Sequence, residues 1–193
     1  MQLSHLISRL KLQATGLNTP NHDPNLKPAA VLVPIVENQQ NILEVWLTQR
    51  PDTLRLHPSQ ISFPGGKLEV ADNSLYACAT RETYEEIGIK SQVWQAVSQL
   101  SKHQTLSGYE ITPYVSYARY TADNKNMQLT LNPIEVTEVI KLPLNFLLTQ
   151  AKLTAQQYQI NQQPRLIWHF YYKDKLIWGA TAAILAELKQ RLI

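Results

Sequence analysis

The stretch FPGGKLEVADNSLYACATRETYEEIGI, Phe63 to Ile89, constrains this chain more than any other. It joins a Pro-Gly-Gly turn to a predicted helix over residues 74–87, with Asp72, Asn73 or Ser74 as N-cap and Gly88 just past the last turn. Within that helix Arg81, Glu82, Glu85 and Glu86 crowd into six residues. Helical residues three and four apart share a face, so the three carboxylates converge on one patch. Like charges at that spacing repel by roughly 0.2–0.5 kcal/mol per pair. They also stand near the C-terminal end of the helix, where the macrodipole disfavours anions. Something positive must offset both effects. Arg81 can neutralise one acid, and a divalent cation such as Mg²⁺ or Mn²⁺, which prefers clustered carboxylate oxygens, would neutralise the rest. A solvated acidic face is the competing meaning of such a run. The glycines just upstream, which bring backbone amides close to a ligand, favour a site for metal plus phosphate.

The rest of the chain supplies a sheet to hold that helix. AAVLVPIV and ILEVWLT read as strands joined in a hairpin by ENQQN, and ISF as a short strand leading into the glycines. VWQAVSQL, YEITPYVSYARY, MQLTL, EVTEVIKLPL, RLIWHFYY and KLIWG read as further extended segments, interrupted by a short helix near 144–150. ATAAILAELKQRLI closes the chain as a helix. Leu3, Leu6, Ile7 and Leu10 mark a short N-terminal amphipathic helix that packs on the domain; its polar face is too weakly charged to favour the rival placement on a membrane surface. A Pro/Asn-rich linker, Asn18–Pro28, follows it. The expected organisation is therefore helix and linker over 1–28 and one α/β domain over 29–193, a mixed sheet covered by helices.

Composition narrows the function. The 193 residues are 44% hydrophobic, enough for one core, and the net charge of +3 is spread without a Lys/Arg run, so a nucleic-acid surface is not expected. No apolar run reaches the roughly 20 residues that span a bilayer. A lone cysteine, Cys78, excludes an intrachain disulfide and fits a cytoplasmic location; inside a helix it reads as a packing thiol. His5, His22, His57, His103 and His169 show no metal-ligand spacing.

Gly66, Arg81, Glu82, Glu85, Glu86 and Gly88 resemble the Nudix box, in which a glycine and an early glutamate precede R-E-U-x-E-E-x-G-U. Arg81 to Ile89 match its second half, with Thr83 where a bulkier aliphatic residue is common. The first half is one residue longer: counting back from Arg81 puts the early glutamate at Asn73 and the first glycine at Lys67. That extension, with acids at Glu69 and Asp72, is similar to the coenzyme A pyrophosphatase branch. So is the upstream segment WLTQRPDTLRLHPSQISFPGG, which supplies Leu47, Thr48, Arg50, Arg55 and Phe63 to Gly66 of that branch's signature. Pro51 replaces a small residue there, removing an amide donor, and Ser59 replaces a glycine at a position where positive φ comes less easily to serine.

The resemblance implies a Nudix-type α/β/α sandwich with a central mixed β-sheet. It also implies metal-dependent hydrolysis of the diphosphate bond of coenzyme A to 3′,5′-ADP and 4′-phosphopantetheine or its acylated forms. Glu82, Glu85, Glu86 and the Gly66 carbonyl are the expected metal ligands, with Mg²⁺ or Mn²⁺ as cofactor. Arg81 is expected to hold the acids in place. Arg50, Arg55 and Lys67 are expected on the substrate phosphates, for which arginine's planar fork is suited. Glu69 and Asp72 are second-metal or loop residues, and Glu135 and Glu138 are candidate general bases or merely solvent-facing glutamates. The expected partner is a small nucleoside diphosphate, with no nucleic acid and no membrane; pairing into a homodimer is left open. An ADP-ribose or dinucleotide diphosphatase, such as one acting on NADH, and a non-catalytic nucleotide sensor are the competing readings.

Overall fold

The computed structural model describes residues 3–12, 25–53, 58–121, 124–160 and 163–193. Helix α1 (Leu3–Leu12) is followed by strands β1 (Lys27–Glu37), β2 (Leu43–Gln49), β3 (Ile61–Ser62) and β4 (Gly65–Lys67), then helix α2 (Leu75–Ile87). Strands β5 (Gln95–Gln99), β6 (His103–Gln104), β7 (Tyr109–Arg119) and β8 (Glu138–Pro143) lead to α3 (Leu144–Thr149). A three-stranded antiparallel ribbon, β9 (Thr154–Ile160), β10 (Gln163–Tyr172) and β11 (Lys175–Trp178), runs into α4 (Gly179–Leu192).

The main sheet is mixed. β1 lies parallel to β7 along its whole length and antiparallel to β2, and β8 covers the far side of β2. β1 and β2 are joined by the predicted hairpin, whose turn is tied by Asn38 Oδ1 accepting from the amides of Gln40 and Ile42 at 3.0 Å each. The two strands then diverge, and the chain from Ile61 to Lys67 fills the gap: β3 pairs with Thr48 and Gln49 of β2, and β4 with Ala29 to Val31 of β1. The Pro-Gly-Gly segment, expected as a turn, thus ends in a strand. The same divergence accommodates Pro34 in the middle of a central strand. Leu32 sends its amide to Pro64 O at 2.9 Å, so the amide missing at Pro34 falls on that same side, between the stretches paired with β4 and with β2.

Alternation along the strands builds two cores. Val31, Val33, Ile35, Val45 and Leu47 face α1, α3 and α4, whereas Ala30, Leu32, Val36 and Trp46 face α2. Leu6 and Leu10 of α1 are fully buried in the first core, with Leu3 and Ile7 packed beside them, and Arg9 donates to Leu192 O at 2.6 Å at the end of α4. The apolar stripe of α1 is therefore used up inside the molecule. No described helix is long and apolar enough to cross a membrane.

Three expectations change. MQLTL is not a strand: Lys125–Met127 form a single 3₁₀ turn, and the residues after it run along the end of α2. There the amides of Thr130 and Asn132 donate to Ile87 O and Glu86 O at 3.0 Å each, satisfying carbonyls that a helix end leaves open. β9, rich in glutamine and exposed at nearly every position, has no hydrophobic alternation to announce it. Ser59 does take a left-handed backbone, φ 57°, against a preference of about 1–2 kcal/mol. The linker over 13–24 lies outside the described residues.

Candidate active site

Helix α2 begins and ends as its sequence dictates. Ser74 Oγ accepts from the Ala77 amide at 3.0 Å, and Gly88, at φ 78°, donates its amide to Tyr84 O. Small buried residues, Cys78, Ala79 and Thr83, let the helix lie close to the sheet. The Cys78 thiol contacts Lys67 O at 3.3 Å, and burial, with Asp72 next, raises its pKa to about 11, so it stays protonated.

Burial on this helix puts Glu86 against the glycine strand. Its side chain is 8% exposed; Oε1 accepts from the Gly65 amide at 3.2 Å, while Oε2 is buried with no hydrogen-bond partner. Desolvation raises its pKa to about 8, against the lowering influence of the Gly65 amide and the Thr48 hydroxyl. Glu82 is pushed upward too, first by burial, which outweighs the nearby Arg81. Its carboxylate lies directly over Gly66, where a side chain would strike it.

Arg81 is held chiefly by acids, with a further bond to Lys67 O at 3.4 Å. Its Nε and one terminal nitrogen grip Asp72 at 2.9 Å each, and the other terminal nitrogen reaches Glu85 at 2.9 Å and Glu82 at 3.2 Å. The Asp72 carboxyl is held down at about 2, chiefly by the Arg81 hydrogen bonds. Asp72 accepts from Arg81 and from the Glu69 amide (2.9 Å). Glu85 is half exposed, one oxygen on Arg81.

The structure separates the two downstream glutamates that the sequence left equivalent. Glu138 opens β8 and pairs with Lys175 at 2.8 Å. Glu135, in the turn just before, adds negative field at both Glu82 and Glu86. No spacing rule could bring residue 135 to this patch; the backbone bond from Asn132 to Glu86 O does so.

Lys67 is exposed at the end of β4. Trp46 and Thr48 alternate onto the α2 side of β2, and Arg50 follows the last residue of the strand, its amide donating to Gln60 O at 3.0 Å. Its Nε is buried and, among the described residues, has no hydrogen-bond partner. Arg55 and His57 lie outside the described residues.

A hard divalent cation fits this donor set. The unpartnered Glu86 oxygen, the Glu82 carboxylate and the bare backbone at Gly66 offer oxygens only, and the carboxylates repel one another without it. Among the described residues no three His, Cys, Asp or Glu side chains form a ready metal cage, so the backbone and solvent must complete the coordination.

The NUDIX domain profile matches residues 26–163. Over its full length the chain is 33% identical to a Nudix hydrolase NudL of Photorhabdus laumondii, covering 98% of that protein. It is 34% identical to the NudL of Yersinia enterocolitica, covering 98% of this chain and 93% of that one. A MutT/nudix family protein from Enterococcus faecalis superposes with a TM-score of 0.53 at 15% identity, covering 100% of this chain and 70% of that one. RenU, a Nudix hydrolase from M. smegmatis, gives 0.50 at 14% identity over 62% of this chain and 72% of that one. The chain belongs to the Nudix family, and it is a hydrolase of that family, whose members use divalent metal ions.

Proposed function

We propose that this enzyme hydrolyses the diphosphate bond of coenzyme A and its derivatives to 3′,5′-ADP and 4′-phosphopantetheine, with Mg²⁺ or Mn²⁺. The observation that carries the reading is the placing of Glu82 against Gly66 and of Glu86 against Gly65, both within the field of Glu135. Arg50 falls at an arginine of the coenzyme A signature, and Ser59 adopts the left-handed backbone open to the glycine of that signature.

Glu82, Glu86 and the Gly66 carbonyl would hold the cation, with Glu85 at its solvent side. When bound, the cation screens the diphosphate oxygens and acidifies water. Arg81, braced by Asp72, fixes the Glu82 and Glu85 carboxylates so that little reorganisation is left for the reaction itself. Arg50 and Lys67 supply positive charge to the diphosphate, and Arg55, by its signature position, joins them. Glu135 stands apart from the Arg81 network and is the group that takes a proton from the attacking water.

The test is incubation of the purified protein with coenzyme A, ADP-ribose and NADH, each with Mg²⁺ or Mn²⁺, followed by chromatography. Release of 3′,5′-ADP from coenzyme A is the expected result. Cleavage of ADP-ribose or NADH alone would replace the substrate, and nucleotide binding without turnover would make the protein a sensor.

A further inference from the structure

Strand β9 has an open edge that the rest of the molecule gives no reason to leave bare. It pairs with β10 on one side and, among the described residues, with nothing on the other. All seven residues from Thr154 to Ile160 are exposed or nearly so, so the strand buries little within its own chain. An unpaired strand edge is a template for another strand, and proteins blunt such edges with charge, proline, bulges or a covering element. The other edges here are blunted in that way. β5 is covered by α1, with Ser98 donating to Leu10 O at 3.2 Å; β8 carries Glu138, Lys141 and Pro143; β11 carries Lys175, tied to Gln49 at 2.6 Å and Glu138 at 2.8 Å. β9, TAQQYQI, carries no charge, no proline and, in its pairing with β10, no register shift.

We propose that β9 pairs antiparallel with β9 of a second copy about a two-fold axis through Gln157, joining the two ribbons into one six-stranded sheet. A second copy fits better than an unrelated strand because a two-fold contact sets each side chain against its own set. A charge at position 157 would face its own copy across that axis, and the residue there is an uncharged glutamine in a strand without charge. The register through Gln157 sets Gln156 opposite Tyr158 of the other copy, the same pair that already bonds within the chain, Tyr158 Oη donating to Gln156 at 3.0 Å. It also sets Thr154 opposite Ile160 and Ala155 opposite Gln159. One seven-residue edge buries less than the about 800 Å² per partner of a tight complex, so the dimer is reversible, with dissociation in the micromolar range.

Sedimentation velocity on the full chain from about 5 to 200 μM tests this, with the shift toward twice the 22.0 kDa chain mass expected as concentration rises. Gln157→Lys, which puts two ammonium groups face to face on the axis, is expected to stay monomeric at every concentration. Circular dichroism and melting temperature, unchanged in this exposed position, show that the variant is folded. Gln157→Cys is expected to give a covalent dimer under mild oxidation, since the two thiols meet at the axis and the native Cys78 is buried. A wild-type chain monomeric throughout, or a dimer that survives Gln157→Lys and fails to cross-link through Cys at 157, would overturn the proposal.

Discussion

Gly66 and Glu82 compete for the same space: a β-carbon on Gly66 would stand 2.5 Å from Glu82 Cδ and 2.7 Å from its Oε2. Its neighbour Gly65 is constrained differently, with φ at 152° and a would-be β-carbon 2.6 Å from the Val31 Cα. One glycine makes room for a movable carboxylate; the other makes room for backbone. Gly66→Ala is therefore expected to keep its melting temperature within a few degrees yet lose activity about a hundredfold, by displacing a charged group from its place. Gly65→Ala should destabilise the fold by about 2–4 kcal/mol, since a backbone clash cannot be relieved by a rotamer change. Thermal melts and steady-state rates on the two variants separate these effects.

Glu86 binds its proton more tightly in the folded chain than in the unfolded one, its pKa rising from 4.5 to about 8. The contribution of Glu86 to the stability of the metal-free protein is accordingly full below the ordinary carboxylate range and is lost as pH climbs through 8. Urea titrations between pH 5 and 9 with a chelator should show that decline, and Glu86→Gln, which mimics the protonated acid, should flatten it. Adding Mn²⁺ is expected to restore stability to the wild type at high pH and much less to the variant. The same variant should lose at least about a hundredfold in hydrolysis rate.

Asp72 carries the opposite sign. Its depressed pKa, about 2, means that its contribution is present above 3.8 and lost as pH falls through 2. Asp72→Asn removes one of the two acceptors that grip Arg81 and should cost about 1–3 kcal/mol. Arg81 is then free to draw Glu82 and Glu85 away, so metal affinity, measured by isothermal titration with Mn²⁺, should fall about tenfold.

Glu135 and Glu138 provide an internal control three residues apart. Glu135→Gln is expected to lower kcat by a factor of about 10² to 10⁴ and to remove the alkaline-rising limb of its pH profile, the range for a lost general base. Glu138→Gln loses only its ion pair with Lys175 and should retain activity within about twofold. Equal effects from both changes would remove Glu135 from the role.

Local rules carried much of this protein in the sequence. The left-handed Gly88, the strand alternation and the amphipathic α1 all follow from contacts within a few residues, and the structure reproduces them; of the three N-cap candidates it takes Ser74. The acidic face of α2 was legible for the same reason, because helical spacing alone brings Glu82, Glu85 and Glu86 together.

What the sequence could not determine depends on contacts distant along the chain. The strand at Gly65–Lys67 exists because β1 and β2 diverge, and MQLTL gives up its strand because the open carbonyls of α2 claim its amides. The nearness of Glu135, and not Glu138, to Glu82 and Glu86 follows from that same docking. So does the raised pKa of Glu86, which no count of neighbouring charges predicts, because it arises from removing water around a carboxylate. Periodicity and composition decide which groups a segment offers and to which face; only the packed chain decides which of them lose their solvent, and it is that loss which turns an acidic helix into a site.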